Sequence, residues 1–129
     1  MANGIMSALG AVYKGIVARL TRKGVNVGGT ASYPRVEVHS VTEQEPLDKG
    51  GTVRSISCIV ESISEDRMAE VVGLNEGNLE QLSMALNLGA DWRIIGIQQG
   101  QLQQITETSE TNKILYRLLQ NITVYVQLI

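Results

Sequence analysis

Apolar and polar residues alternate along the last sixteen positions of the chain, residues 114–129. Seven of the eight even-numbered positions are apolar, whereas the odd-numbered positions are mostly polar after Leu119. A period of two is typical of a β-strand with one buried face. At about 3.3 Å per residue this strand would span about 45–50 Å, far more than a usual strand. A free edge of that length promotes aggregation, so we expect neighbours on both sides of the strand or a partner chain.

Residues 5–22 carry apolar side chains at steps of three and four, which predicts an amphipathic helix. Asn3 is suited to cap its N-terminus, and Gly24 can end it. The simplest role of this helix is to pack its apolar stripe against a sheet.

A second apolar stripe with helical spacing runs from Met68 to about residue 87, after a charged helix start at residues 64–67. Ser64 can cap this helix because its hydroxyl can accept a hydrogen bond from the first turn. Gly73 and Gly77 each lower the helix propensity by about 1 kcal/mol relative to alanine. The pattern therefore predicts a bend or a break near residues 74–77.

Shorter apolar or alternating segments predict three strands in addition to the terminal one. The four predicted strands are residues 35–41, 53–63, 92–98 and 114–129. The order of elements is then α-β-β-α-β-β. This order predicts an α+β fold in which two amphipathic helices pack on one face of a four-stranded, mostly antiparallel sheet.

Three connections between these elements are long and polar. Residues 24–34 are rich in glycine and predict an irregular segment, and residues 42–52 predict a charged loop too long for a tight hairpin. Residues 99–112 are rich in Gln, Thr, Glu and Ser, which predicts a long, mobile excursion before the final strand. Long loops in a small domain often carry function.

Charge is unevenly distributed, although the formal net charge is only -2. Residues 36–91 hold eleven acids against three bases. Residues 1–35 hold no acid and five bases, which are Lys14, Arg19, Arg22, Lys23 and Arg35. Two explanations stay open: pairing of the charges within one fold, or head-to-tail contact between subunits.

The residues that carry chemistry are few and isolated. His39 is the sole histidine and lies on a predicted strand with no pattern of acids around it, so the sequence indicates no nucleophile–base pair. The single Cys58 excludes an internal disulfide. Glu43, Glu45 and Asp48 lack the spacing of a calcium loop. Aromatic residues make up only 4% of the chain, which argues against a base-stacking nucleic-acid surface. We expect no enzyme, no metal site and no cofactor.

The order of elements, together with three segments, resembles the tail terminator, or tail-completion, proteins of long-tailed bacteriophages and related contractile tails. The segments are YPRVEVHSV at residues 33–41, ISCIVES at residues 56–62 and the alternating ITVYVQLI at residues 122–129. The resemblance extends over nearly the whole chain, which implies one tail-terminator-like domain over residues 1–129.

The resemblance implies a non-enzymatic structural protein of the virion. It implies a homo-oligomeric ring, commonly of six subunits, that caps the tail tube, ends its polymerisation and joins it to the head. The implied partners are the tail tube protein and the head–tail connector protein, with DNA passing non-specifically through the lumen. The implied location is the tail or neck of the virion, after assembly in the host cytoplasm. No membrane contact is expected, because Lys14 interrupts the apolar N-terminal run.

Charged side chains near the predicted loops and helix end are the candidate contacts with other subunits or partners. They are Glu43, Glu45, Asp48, Lys49, Arg19, Arg22, Lys23 and Arg117. The three bases at the end of the first helix can instead complement the helix dipole. Arg117, on the polar side of the last strand, can pair across the sheet with Glu37 or Glu61.

Two other functions stay open on the sequence. The chain could form a head-proximal connector or adaptor ring, with twelve subunits rather than six. It could also be a small α+β module that binds a ligand or peptide, because this arrangement of elements serves many functions.

Overall fold

A computed structural model describes residues 7–30, 32–44, 50 and 52–129 of the chain. Two helices and five strands are present in these ranges. In chain order they are α1 Ala8–Leu20, β1 Asn26–Val27, β2 Arg35–Glu43, β3 Val53–Ser64, α2 Met68–Leu82, β4 Trp92–Thr108 and β5 Ile114–Leu128.

The five strands form one sheet in the order β1-β2-β3-β5-β4. The pairings β2–β3, β3–β5 and β4–β5 are antiparallel, whereas β1 and β2 are parallel. The terminal strand β5 lies between β3 and β4. The prediction that this long strand has a neighbour on each side is therefore confirmed.

The prediction of a four-stranded, mostly antiparallel sheet is wrong. The segment predicted to be irregular contains β1, in which Asn26 and Val27 pair with Arg35 and Val36. Two residues are too few to show a period, so β1 leaves no signal in the pattern of apolar residues. The order of elements is α-β-β-β-α-β-β, and the sheet is mixed.

The predicted mobile excursion over residues 99–112 is also wrong. β4 continues to Thr108, and only residues 109–113 connect it to β5. Most side chains of β4 from residue 98 on are exposed, so this part of the strand has no buried apolar face that would show a period of two in the sequence. Irregular steps between Ile94 and Gly96 and between Gln99 and Leu102 disturb the period of two as well.

The core lies between one face of the sheet and the two helices. α1 packs over β2 and β3, and α2 packs over β3 and β5. The even-numbered residues of β5 are buried from Leu118 to Val126, as the alternation predicts. Buried apolar side chains of this core include Val12, Ile16, Leu20, Val36, Ile56, Cys58, Val60, Ile122, Val124 and Val126.

α1 begins later than its apolar pattern predicts. Ser7 caps it, because the Ser7 Oγ accepts a hydrogen bond of 3.0 Å from the Gly10 N–H. The predicted cap, Asn3, lies outside the described residues. None of the described helices is both long and apolar enough to cross a membrane.

α2 runs without a break through Gly73 and Gly77 and ends at Leu82, so the predicted break and the predicted end near residue 87 are wrong. A β-carbon on Gly77 would lie 2.8 Å from a guanidinium nitrogen of Arg22. Gly77 therefore leaves room for a side chain of α1's C-terminal region, and tertiary packing outweighs its low helix propensity.

Candidate assembly surfaces

The odd-numbered residues of β3 and β5 lie on the face of the sheet opposite the helices, which we call the helix-free face. Its middle part carries several hydroxyl and amide side chains beside Ile59. Ser57 and Thr123 are paired in register, with 3.0 Å between their hydroxyl oxygens. Tyr125 donates a hydrogen bond of 3.1 Å to the Gln98 Oε1 of β4. This part of the face is largely polar and carries few charges.

A charged network crosses the helix-free face at Glu61. Only 1% of Glu61 is exposed, although it lies on a face without a helix. Its Oε1 is 2.7 Å from the His39 Nε2, and its Oε2 accepts a hydrogen bond from the Arg117 Nε. Arg117 also donates to the Glu107 Oε1 at 2.5 Å. Side chains from four adjacent strands, β2, β3, β5 and β4, are thus linked.

The network favours the charged form of Arg117. Its hydrogen bond to Glu61, followed by that to Glu107, raises the pKa of the Arg117 guanidinium above its usual range, against the opposing effect of burial. The predicted pairing of Arg117 across the sheet is confirmed for Glu61. Glu37, the other predicted partner, instead accepts a hydrogen bond of 2.9 Å from Arg35.

Arg19 and Arg22 both contact α2. The Arg19 Nε donates to the Gln81 carbonyl at 3.3 Å, near the C-terminal end of α2. The Arg22 guanidinium donates to the Asn78 Oδ1 at 3.3 and 3.4 Å. Lys23 is exposed. The two arginines therefore tie α1 to α2, and a role for any of the three bases in contact with another subunit stays a prediction.

The charged loop between β2 and β3 is described only at its edges. Glu43 pairs with Arg54 across these strands, with 3.1 Å between the Glu43 Oε2 and a guanidinium nitrogen. Glu45, Asp48 and Lys49 lie outside the described residues. Part of the uneven charge is thus neutralised within the fold, and the predicted contacts of this loop stay untested.

β4 is an edge strand of seventeen residues, and its only described neighbour is β5. Between Arg93 and Glu107 it carries no charged residue and no proline. Two large apolar side chains on it, Ile95 and Leu102, are 51% and 50% exposed. The pattern of apolar residues did not predict this surface. The thirteen-residue run without charge was the signal that could have found it.

A thiol and a small cavity lie on the helix side of the sheet. Cys58 is buried on the helix side of β3, and burial raises the pKa of its thiol from 9.0 to about 11. Within the described ranges no group of three His, Cys, Asp or Glu side chains is placed to hold a metal ion. A cavity of about 150 Å³ between α2 and the sheet, lined by Leu79, Leu82 and Ile122 among others, is smaller than typical ligand sites of about 300–1,000 Å³.

Comparison with known proteins gives a match in structure rather than in sequence. No family model matches the chain, and no curated protein matches it. The chain is similar to a solved chain from the virion of a native gene transfer agent particle, with a TM-score of 0.66 and 16% sequence identity. The match covers 94% of this chain and 95% of that chain. The two chains therefore share their fold over nearly their whole length.

Proposed function

We propose that this protein is a structural, non-enzymatic virion component of the tail-terminator kind. One observation carries the proposal: the fold is shared, nearly end to end, with a chain of a virion particle. The resemblance of the element order and of the strand sequences to tail terminators supports the finer assignment. On this proposal residues 1–129 act as one domain.

In this proposal, six copies of the protein form a ring that binds the last layer of the tail tube. A ring that matches the symmetry of the tube occupies the surface that the next layer would use, so polymerisation ends. Its other side receives the head–tail connector, and DNA passes through the lumen without sequence-specific contact. The ring acts in the neck of the virion and assembles in the host cytoplasm.

The described structure suits this mechanical role. The sheet has long central strands, and the Glu61 network links side chains of four adjacent strands. The polar middle of the helix-free face and the uncovered edge of β4 are surfaces on which other chains can assemble.

The proposal is tested by the mass and the capping activity of the purified full-length chain. We expect native mass spectrometry to show a hexamer, which for six copies of the 14.0 kDa chain is about 84 kDa. Added to a tail tube protein during polymerisation, the ring should bind one end of each tube and shorten the tubes in a dose-dependent way.

Two results would contradict this assignment. A strict monomer that leaves tube length unchanged would remove the structural-ring function. A twelve-subunit ring that does not bind tubes would instead identify a connector ring nearer the head.

A further inference from the structure

We propose that the groove between α2 and β4 is the docking site for an amphipathic helix of a partner protein. That helix carries an apolar stripe toward the sheet, with one phenylalanine as its anchor, and two basic side chains along the edge that faces α2. The inference goes beyond the proposed ring, because it concerns a different chain and is argued from the groove alone.

The floor of the groove is the helix side of β4. Ile97, Gln99 and Leu102 lie on this side, because they pair in register with even-numbered residues of β5. Within the described ranges α1 packs over β2 and β3, and α2 packs over β3 and β5, so neither helix covers β4. Leu102 is therefore exposed although it lies on the side of the sheet that holds the core.

The wall of the groove is one flank of α2. Leu79 and Ser83 line the cavity between α2 and the sheet together with Ile97, so they mark the flank that faces β4. Val72 and Glu76 precede these two residues by seven positions, or about two helical turns, and lie on the same flank. Val72 is exposed. An apolar surface thus continues from the floor up the side of α2.

The space above β4 has the dimensions that a packed helix needs. Neighbouring helices pack about 8–10 Å apart, and neighbouring strands lie about 4.7–4.9 Å apart. Because α2 packs over β3 and β5, a helix at that distance on its free flank lies above β4 and its outer edge. The groove also continues toward the start of β4 as an open space of about 410 Å³, lined by Met84 and Ile95 among others.

The cavity at the base of the groove has the size of one aromatic side chain. Its volume is about 150 Å³, and an apolar cavity of about that volume admits benzene. Leu79, Leu82, Ile97 and Ile122 supply its apolar lining. Aromatic side chains that fill such pockets contribute much of the binding energy at interfaces. This chain contains no phenylalanine and its single tryptophan is buried, so a second copy offers no such anchor.

Charges on the two rims define the polar edges of the partner helix. Glu76 and Glu80 are exposed about one turn apart, and no described residue forms an ion pair with either. α2 itself contains no base. On the opposite rim, residues 94–106 of β4 carry no charge. A complementary helix therefore has Lys or Arg at positions i and i+4 on one edge and uncharged polar residues on the other.

A synthetic peptide tests the groove on the full-length chain. The probe is a helix of 15 residues, the length of α2. It has a leucine stripe with one central phenylalanine, two lysines four residues apart on one edge, and glutamines on the other. We expect a Kd below about 1 mM, with NMR shifts at groove residues. Replacing its phenylalanine by alanine should weaken binding at least about tenfold. No binding at about 1 mM, or shifts confined to the helix-free face, would overturn the proposal.

Two variants of the protein test the anchor and the charges separately. Ser83→Phe places a ring at the mouth of the cavity and should weaken binding at least about tenfold, whereas its control Ser83→Ala should change binding less than about twofold. Glu76→Lys should weaken binding about fivefold and should favour a probe with glutamates in place of the lysines. Glu110→Lys, in the turn after β4, is the charge-matched control. Unchanged binding in both Ser83→Phe and Glu76→Lys, with wild-type unfolding midpoints, would refute the docking site.

Other occupants of the groove give different results. Self-association of the wild type that Ser83→Phe abolishes would assign the groove to a second copy. Nuclear Overhauser contacts between residues 1–6 and Leu102 in the free protein would assign it to the chain itself. Either result would overturn the proposal. A wild type that forms rings but does not bind the probe refutes the groove and leaves the ring standing, whereas a monomer that binds the probe supports the groove while the ring fails.

Discussion

Replacement of Arg117 by methionine should destabilise the fold far more than replacement of another arginine on the same face. Arg117→Met keeps most of the aliphatic stem but removes the guanidinium that donates to Glu61 and Glu107. Glu61 is then left in a buried position with His39 as its remaining partner. Arg93 is the control, because it is exposed on the same face and donates to the Gln127 Oε1 at 2.6 and 3.2 Å.

The magnitude follows from the burial of the two partners. Breaking a fully buried ion pair costs about 3–5 kcal/mol, because an uncompensated charge stays in the protein. The Arg117 side chain is 29% exposed, so water reaches part of the vacated space and lowers that cost. The contact with the exposed Glu107 adds under about 1 kcal/mol. We expect Arg117→Met to lower the free energy of unfolding by about 2–3 kcal/mol, and Arg93→Met by about 0.5 kcal/mol or less.

Urea unfolding followed by the fluorescence of Trp92 measures both values. Trp92 is the only tryptophan and is buried, so its emission reports loss of the core. All variants must be compared at one chain concentration, because assembly adds to apparent stability. The double variant Glu61→Gln/Arg117→Met completes a cycle whose coupling free energy should exceed about 1 kcal/mol. Equal effects of Arg117→Met and Arg93→Met, or a coupling near zero, would refute the reasoning.

Two further predictions concern α2 and the buried thiol. Gly73→Ala should stabilise the fold by about 0.5–1 kcal/mol, because nothing lies within 4 Å of the added β-carbon. Gly77→Ala should stabilise it less, or destabilise it, because the added β-carbon displaces the Arg22 guanidinium. Thermal unfolding of both variants measures the difference, and equal gains in stability would contradict the prediction. Burial raises the pKa of the Cys58 thiol to about 11 in the folded state, from about 9 in the unfolded state. The thiol therefore contributes its whole share to the free energy of unfolding below pH 9, and this contribution is lost as the pH rises toward 11. That loss should amount to about 2–3 kcal/mol and be missing in Cys58→Ala, and identical pH dependence of unfolding in both proteins would disprove it.

The charged network shows how much of a site the sequence could predict. The polar position of Arg117 on an alternating strand was enough to predict a partner across the sheet, and Glu61 was one of two predicted partners. The burial of Glu61 and its bond to His39 could not be predicted. The residues that meet there are separated by 22 and 56 positions, and only the register of β2, β3 and β5 brings them together.

The sequence by itself determined the elements that bury one face. β5 and the two helices each show the period of their own secondary structure, because burial on one side selects apolar residues at that spacing. The tertiary structure alone decided the elements that bury little. β1 has two residues, and the second half of β4 is exposed on both faces, so neither has a period to read. Both are held by backbone pairing with a neighbour, and backbone hydrogen bonds do not depend on side-chain pattern.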